Sequence, residues 1–208
     1  MIKLTQKAID MVVVVLIGLC CAACLNVKYQ AKEQYLLNPI IAEKNYPTVY
    51  PGALLIGKTK SVAPYNNLTL SYRISQDQYV TDYYHVWMAS PSEQIYQVTQ
   101  QYFTSTHLFK QVVTDESLLK AKYALAMKLL ALYADYRQSD KPMAVIAMNV
   151  QFYGRDDQNQ WRLLSTQDFE ESIPLTQKSS TALIAGWQEG LSSLLEKTAN
   201  QLQEMHFK

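Results

Sequence analysis

Apolar and polar residues alternate most clearly in the stretch LTLSYRIS (68–75). A period of two is typical of a strand with one buried face. After the polar pair Gln76-Asp77, the run QYVTDYYHVWM (78–88) is rich in aromatic and β-branched residues. This run predicts the partner strand, so we expect a β-hairpin over residues 68–88.

Two helices are predicted from longer apolar periods. Ser90 suits the N-cap of the first, Pro91 its first helical position, and Glu93 completes an S-x-x-E capping box. The second is expected over about residues 179–205, where apolar residues recur every three or four positions. We expect both apolar stripes to pack against a core.

Further strands are predicted at YLLNP (35–39), ALLIGKTKSV (53–62), MAVIAMNVQFYG (143–154) and QWRLLSTQDFE (160–170). The stretch LLKAKYALAMKLLALYADYRQ (118–138) is ambiguous. Its alanines and leucines favour a helix, whereas the apolar residues at 123, 125, 127 and 129 alternate as in a strand. Both interpretations stay open on the residues alone.

The N-terminus has the pattern of a secretory signal peptide. Lys3 and Lys7 precede the apolar run MVVVVLIGL (11–19). The uncharged stretch from residue 11 to residue 25 is shorter than the roughly 20 residues that span a bilayer. We therefore predict a cleaved signal peptide, with an uncleaved membrane anchor as the alternative.

Three cysteines, Cys20, Cys21 and Cys24, follow this run, and the rest of the chain has none. A disulfide framework is therefore excluded in the mature domain. Small residues before Cys24 resemble a bacterial lipobox, in which the cysteine thiol receives a diacylglycerol. Cys21 stands where Leu is commonest, which leaves the cleavage site among the clustered cysteines open. The alternative is that all three are small apolar residues of an ordinary signal peptide.

These observations predict a signal peptide at 1–23, a lipidated tether at 24–32 and one domain at 33–208. Leu25 stands where an inner-membrane retention signal would have Asp, which favours the periplasmic face of the outer membrane over the inner membrane. Removing residues 1–23 removes two lysines and one aspartate from a chain of net charge +1, so the mature charge is near zero. No basic block is present, and we expect no nucleic-acid partner.

The sequence PGALLIGKTKS (51–61) spells the G-x-x-x-x-G-K-[ST] phosphate loop from Gly52 to Thr59. A true phosphate loop needs a flexible turn and a helix that begins at the Lys-Thr pair. Here the middle residues 53–56 belong in a strand, and Pro64 would fall inside the required helix. We therefore reject the ATPase interpretation and expect no nucleotide.

No other catalytic or metal-binding pattern is present in the sequence. His85, His107 and His206 are scattered, and there is no HExxH or G-x-S-x-G motif. We interpret His85 as a partly buried polar residue of a strand and expect neither a metal nor a cofactor. The fifteen tyrosines suit both interfaces and half-buried sheets.

The order and spacing of several motifs resemble the ABC-type transport auxiliary lipoprotein family, which includes the lipoprotein of the paraquat-inducible (Pqi) system. The resemblance rests on these features: Tyr72-Arg73, the aromatic run 79–84 with Tyr83-Tyr84, Trp87 with Pro91 four residues later, Phe109 with Val112, a strand with Trp161 and the long C-terminal helix. The resemblance covers nearly the whole mature chain.

The resemblance implies a periplasmic α+β domain, with a mixed or antiparallel sheet and two main helices packed on it. It also implies that residues 123–136 form a strand rather than a helix. The family serves lipid transport between the inner and outer membranes, so the implied partners are an MCE-domain protein and inner-membrane permease components, and the chain would not be an enzyme. A homo-oligomer stays open.

We expect Cys24 to carry the lipid, and Tyr72, Arg73, Tyr83, Tyr84, Trp87 and Pro91 to mark the family motif and a partner interface. Trp87 and Pro91 have a second interpretation, as a core residue and a helix start, which we favour. The competing function is a structural or assembly lipoprotein of envelope or secretion machinery that handles no lipid.

Overall fold

The computed structural model describes residues 30–41, 44, 46–47, 50–114 and 121–206. The chain divides into two compact units, Met1–Ala31 and Lys32–Lys208, and the second contains the strands and helices described here. Its strands are β1 (Glu33–Tyr35), β2 (Tyr50–Ile56), β3 (Lys60–Ser61), β4 (Thr69–Arg73), β5 (Tyr79–Trp87), β6 (Phe109–Val113), β7 (Tyr123–Asp135), β8 (Met143–Arg155) and β9 (Trp161–Pro174). Its helices are α1 (Pro91–Thr106) and α2 (Ser180–His206), with a 3₁₀ turn at Ala63–Tyr65.

Strand β7 organises the mixed sheet because both of its edges are paired. One edge is antiparallel to β8 along its length, and β9 continues the sheet beyond β8. Along the other edge, β2, β3 and β4 pair with β7 in parallel, one after another. Beyond these, β6 lies next to β2, β5 lies next to β4, and β1 lies next to β5 at the edge of the sheet. The fold is therefore α+β with one mixed sheet.

Both helices contribute to one hydrophobic core on the sheet. From α1, Thr99 Oγ1 lies 3.3 Å from Met127 Sδ of β7. From α2, a Cβ placed on Gly190 would lie 2.7 Å from Ile146 Cγ2 of β8, so glycine permits the close approach of helix and sheet. Trp187 of α2 is fully buried, and its indole Nε1 donates to the carbonyl oxygen of Val145 at 3.0 Å.

Several predictions that rest on local pattern are confirmed. Helix α1 begins at Pro91, and the Ser90 hydroxyl accepts a hydrogen bond from the amide of Glu93 at 3.4 Å. The hairpin over 68–88 is present as β4 and β5, and α2 begins and ends within a residue of its expected bounds. Residues 123–135 form strand β7, as the family resemblance implied and against their helix propensity.

Other boundaries differ from the predictions. The expected strand at 53–62 is divided into β2 and β3 by Gly57, Lys58 and Thr59, and only Tyr35 of the expected strand 35–39 lies in β1. Strand β6 carried no prediction, since its five residues have no clear alternation. The predicted signal peptide 1–23 and Cys24 lie outside the described residues.

Candidate functional site

Exposed apolar side chains concentrate on the β4–β5 hairpin and its flanks. Among the described residues, seven of the eleven large hydrophobic side chains that are exposed lie there: Leu68, Ile74, Tyr79, Val80, Tyr83, Tyr84 and Met88. We call the four of these on β5 (Tyr79, Val80, Tyr83 and Tyr84) the tyrosine patch. A concentration of exposed apolar groups is typical of an interaction surface.

The outward position of Tyr83 and Tyr84 results from a β-bulge in β5. Thr69 pairs with Val86, but Ser71 pairs with Thr81. Four residues of β5 (82–85) therefore lie opposite a single residue of β4, Leu70. Such a bulge bends the strand and redirects side chains. Tyr83 is 68% exposed, and its ring makes an edge contact with that of Tyr84, with 5.1 Å between centroids.

One carboxylate holds the bulge together. Asp82 Oδ1 accepts hydrogen bonds from the amides of Tyr84 at 2.8 Å and His85 at 3.0 Å. Its Oδ2 accepts from the Tyr72 hydroxyl at 2.8 Å and lies 2.7 Å from His85 Nδ1. These contacts give the amides of the bulge an acceptor where the β4–β5 pairing is interrupted.

The hydrogen bonds change the acidity of this carboxylate. Partial burial acts to raise the pKa of Asp82, but the bonds from the His85 amide, the Tyr72 hydroxyl, the His85 side chain and the Tyr84 amide together hold the pKa below its ordinary value. For the donor of one of these bonds, Tyr72, burial and the hydrogen bond to Asp82 raise the pKa of the hydroxyl. Asp82 is therefore ionised and Tyr72 neutral at physiological pH.

Strand β1 supports the bulge from its outer edge. Glu33 pairs with His85 across the parallel strands, and its Oε2 lies 3.9 Å from His85 Nε2. The same carboxylate accepts a hydrogen bond of 2.6 Å from the Tyr35 hydroxyl. Lys32, which precedes β1, places its ammonium 4.3 Å from the centroid of the Tyr83 ring, a cation–π distance. His85 is half-buried and lies between two carboxylates, which confirms its interpretation as a partly buried polar residue.

Arg73 supports the tip of the hairpin. Its Nη2 donates to the carbonyl oxygen of Gln76 at 2.7 Å, and its guanidinium carbon lies 5.6 Å from the Tyr79 ring centroid and 5.9 Å from that of Tyr133. Tyr65 extends this group, since its ring stacks near Tyr133 at 6.3 Å. Arg73 is thus held among tyrosines and a backbone carbonyl.

The structure separates the six family-motif residues into two groups. Tyr72, Arg73, Tyr83 and Tyr84 lie on the β4–β5 hairpin, although Tyr72 and Arg73 are half-buried. Trp87 is 2% exposed and packs on Trp187, with 5.4 Å between ring centroids, and Pro91 is buried at the start of α1. Trp87, at the end of β5, and Pro91 are both buried, so the interface prediction is kept only for the other four residues.

Sequence reasoning did not identify Asp82 as the residue that shapes this surface. A signal was present, because Asp is depleted in strands and here interrupts an aromatic and β-branched run.

Among the described residues there is no group of three or more His, Cys, Asp or Glu that could hold a metal ion. After Lys58 and Thr59 the chain continues into β3, and not into the helix that a phosphate loop requires.

Comparison with known proteins identifies the family. Residues 35–199 match the family model described as ABC-type transport auxiliary lipoprotein component. The chain belongs to this family. The ABC-type transport auxiliary lipoproteins are envelope lipoproteins that accompany ABC-type transport systems. No curated protein matches the sequence.

Solved structures share the fold of this auxiliary lipoprotein. Protein XCC0632 from Xanthomonas campestris, a DUF330 family protein, is 15% identical with a TM-score of 0.69, and the match covers 83% of this chain and 96% of that one. An uncharacterized protein is 14% identical with a TM-score of 0.64, covering 82% and 98%. At these identities the likeness concerns the fold alone.

None of the described helices is both long and apolar enough to cross a membrane.

Proposed function

We propose that this auxiliary lipoprotein is a non-catalytic, lipid-anchored subunit of an MCE-type ABC system that moves lipids between the inner and outer membranes. The β4–β5 hairpin docks the end of the conduit that the MCE-domain protein forms, at the periplasmic face of the outer membrane. The observation that carries this proposal is the exposed tyrosine patch, in which the Asp82 carboxylate holds the bulge that contains Tyr83 and Tyr84.

The chemistry of the tyrosine patch suits a protein partner. Tyrosine offers a large apolar ring with few rotatable bonds and a polar tip, and it is enriched where interfaces bury their centres. The hydrogen bonds of Asp82 fix the backbone of the bulge before a partner arrives, which reduces the backbone entropy lost on binding. Family membership supports a transport system as the source of that partner.

The membrane anchor in this proposal is Cys24. From Cys24 to Lys32 the tether has eight peptide steps, which reach at most about 29 Å when fully extended. The domain would therefore stay close to the membrane that holds the lipid. Cys24→Ala should abolish incorporation of radiolabelled fatty acid, and full labelling of this variant would show that another cysteine is the acceptor.

The docking role is tested by photo-crosslinking in living cells. A benzoylphenylalanine placed at position 83 should capture the MCE-domain protein, identified by mass spectrometry of the crosslinked band. The matched control places the same residue at Gln167, which is exposed on β9 and lies outside the hairpin. The control should capture this partner far less.

Two results would overturn the proposal. Equal capture of the MCE-domain protein from positions 83 and 167 would remove the hairpin as the docking surface. Capture of only secretion or envelope-assembly components from position 83 would instead favour the assembly lipoprotein and end the transport proposal.

A further inference from the structure

A cationic pocket lies on the sheet away from the β4–β5 hairpin. It has a volume of about 270 Å³ and is lined by Lys58, Lys60, Ala126, Met127, Lys128, Asn149 and Gln151. The three lysines come from the β2–β3 connection, from β3 and from β7, so only the sheet topology brings them together. All three are exposed.

In the part of the chain that the structure describes, the three lysines have no acidic partner. Among the described residues, no carboxylate lies within ion-pair distance of Lys58, Lys60 or Lys128. Lys60 and Lys128 are direct neighbours in the register of β3 and β7. Like charges on directly opposed strand positions are destabilising. A bound anion would remove this repulsion.

The pocket also offers a neutral donor. The Gln151 side-chain oxygen accepts from the Tyr153 hydroxyl at 2.7 Å, which fixes the amide and leaves its NH₂ group available. The Asn149 NH₂ group is already used, since it donates to Thr166 Oγ1 at 3.2 Å and Asp168 Oδ1 at 2.7 Å. The Asp168 carboxylate on β9 is therefore engaged by Asn149.

From this arrangement we infer that the pocket is a binding site for a phosphate group, held by Lys58, Lys60 and Lys128 with the Gln151 amide as an additional donor. Ammonium groups bind phosphate oxygens as compact point charges. The volume accommodates a phosphate group or a small headgroup and is below the range of about 300–1,000 Å³ that drug-sized ligands fill. The source is either free phosphate or the phosphodiester of a lipid headgroup.

This site gives a different explanation for the phosphate-loop spelling. Lys58 lies in the connection between two strands, with no helix behind it, and it acts together with Lys60 and with Lys128, which is distant in sequence. The binding geometry comes from side-chain ammonium groups rather than from a cradle of backbone amides. The inference does not depend on the proposed docking function.

Isothermal titration calorimetry on the full processed protein in neutral detergent tests the inference. The probes are inorganic phosphate and glycerophosphoglycerol, the water-soluble headgroup of phosphatidylglycerol, with glycerol as the uncharged comparison. We expect at least one phosphate probe to bind, glycerol not to bind, and the affinity to fall as salt concentration rises. Binding of the diester alone identifies a headgroup site, and binding of inorganic phosphate alone identifies a free-phosphate site. Binding of both shows that the phosphate group itself is recognised.

Matched lysine variants decide whether the pocket is responsible. Lys128→Gln should weaken binding about tenfold or more, the loss expected for one charge-assisted hydrogen bond. Lys110→Gln makes the same charge change on an exposed residue of β6 and should leave the affinity unchanged. Lys58→Gln provides a second pocket variant outside any strand, and a thermal melt of each variant confirms folding. No binding of either phosphate probe, or equal losses in Lys110→Gln and Lys128→Gln, would overturn the inference.

Discussion

Aromatic residues serve opposite purposes in the core and on the β4–β5 hairpin. In the core, Tyr50, Phe109, Tyr123 and Phe152 form one cluster in which every ring contacts at least two others, with centroids 4.6 to 6.1 Å apart. On the hairpin, the described residues bring only two groups close to the Tyr83 ring, the neighbouring Tyr84 ring and the Lys32 ammonium.

The two regions differ in what their aromatic residues contribute, since the core rings stabilise the fold and the hairpin tyrosines form a surface. Core rings are fixed by many partners at once, so their burial supplies free energy of folding. The position of Tyr83 instead depends on the Asp82 carboxylate. This carboxylate accepts hydrogen bonds from the amides of Tyr84 and His85 and from the Tyr72 hydroxyl. We therefore expect core substitutions to change stability, and hairpin substitutions to change the docking surface with smaller effects on stability.

The largest effect is expected from Trp187→Ala in the core. This change removes a fully buried indole, its contact with Trp87 and its hydrogen bond to the Val145 carbonyl oxygen. Large-to-small core substitutions of this kind cost about 3–5 kcal/mol in free energy of unfolding. Urea denaturation followed by circular dichroism measures the change.

Trp187→Phe is the matched control, since it retains an aromatic ring and should cost less. A loss below about 1 kcal/mol for Trp187→Ala would contradict the description of this residue as a central core contact.

The next effect is expected at the base of the hairpin, from Asp82→Ala. Loss of the carboxylate leaves the amides of Tyr84 and His85 and the Tyr72 hydroxyl without their acceptor. We expect the free energy of unfolding to fall by about 1.5–3 kcal/mol, the range for hydrogen bonds to a charged group. Asp168→Ala, on an exposed carboxylate of β9, should cost less than about 1 kcal/mol. Similar losses in the two variants would show that Asp82 does not organise the bulge.

The same carboxylate predicts a pH dependence. Because the folded-state pKa of Asp82 is below its ordinary value of 3.8, its ionised form stabilises the fold above that value, and the contribution is lost as the pH falls through the folded pKa. Asp135 and Asp156 also have lowered pKa values, the first chiefly through its hydrogen bond with Arg137 and the second chiefly through that with Arg162. From the described residues, these three carboxyl groups therefore contribute together to the wild-type curve.

The difference between wild type and Asp82→Ala isolates Asp82. This stability difference should be constant from neutral pH to about pH 5 and should decrease in more acidic solution. Urea midpoints measured across this interval test it. A difference that stays constant down to pH 2 would show that the ionised form of Asp82 contributes nothing.

Features with local causes could be predicted from the sequence. The cap at Ser90, the alternation in β4 and the two strands predicted at 143–154 and 160–170 depend on neighbouring residues, and the structure contains all of them. Strand β7 could not be assigned by propensity, since its alanines, leucines and lysine favour a helix. Pairing on both edges overrides that preference. The alternation at residues 123–129 left a strand open beforehand, and the family resemblance decided in its favour.

The functional surfaces were less predictable because they depend on register. The tyrosines of β5 were visible in the sequence, but the bulge that exposes two of them follows from a shift in the β4–β5 pairing. Lys60 and Lys128 are neighbours only because β3 pairs with β7 in one register. A shift of one residue would turn one of these side chains to the opposite face of the sheet.

The smallest effect on stability, and the sharpest test of the comparison, is expected from Tyr83→Ser. The side chain is mostly exposed, so the unfolding free energy should change by no more than about 0.5 kcal/mol. If the patch docks a partner, co-purification of the MCE-domain protein with the lipoprotein should nevertheless be strongly reduced, because exposed aromatic residues at the centre of an interface carry much of the binding energy. Tyr153→Ser, at a half-buried tyrosine of β8 outside the hairpin, serves as the control and should leave co-purification unchanged. A folded Tyr83→Ser variant that retains its partner fully would separate the exposure of Tyr83 from docking and limit the hairpin to a structural role.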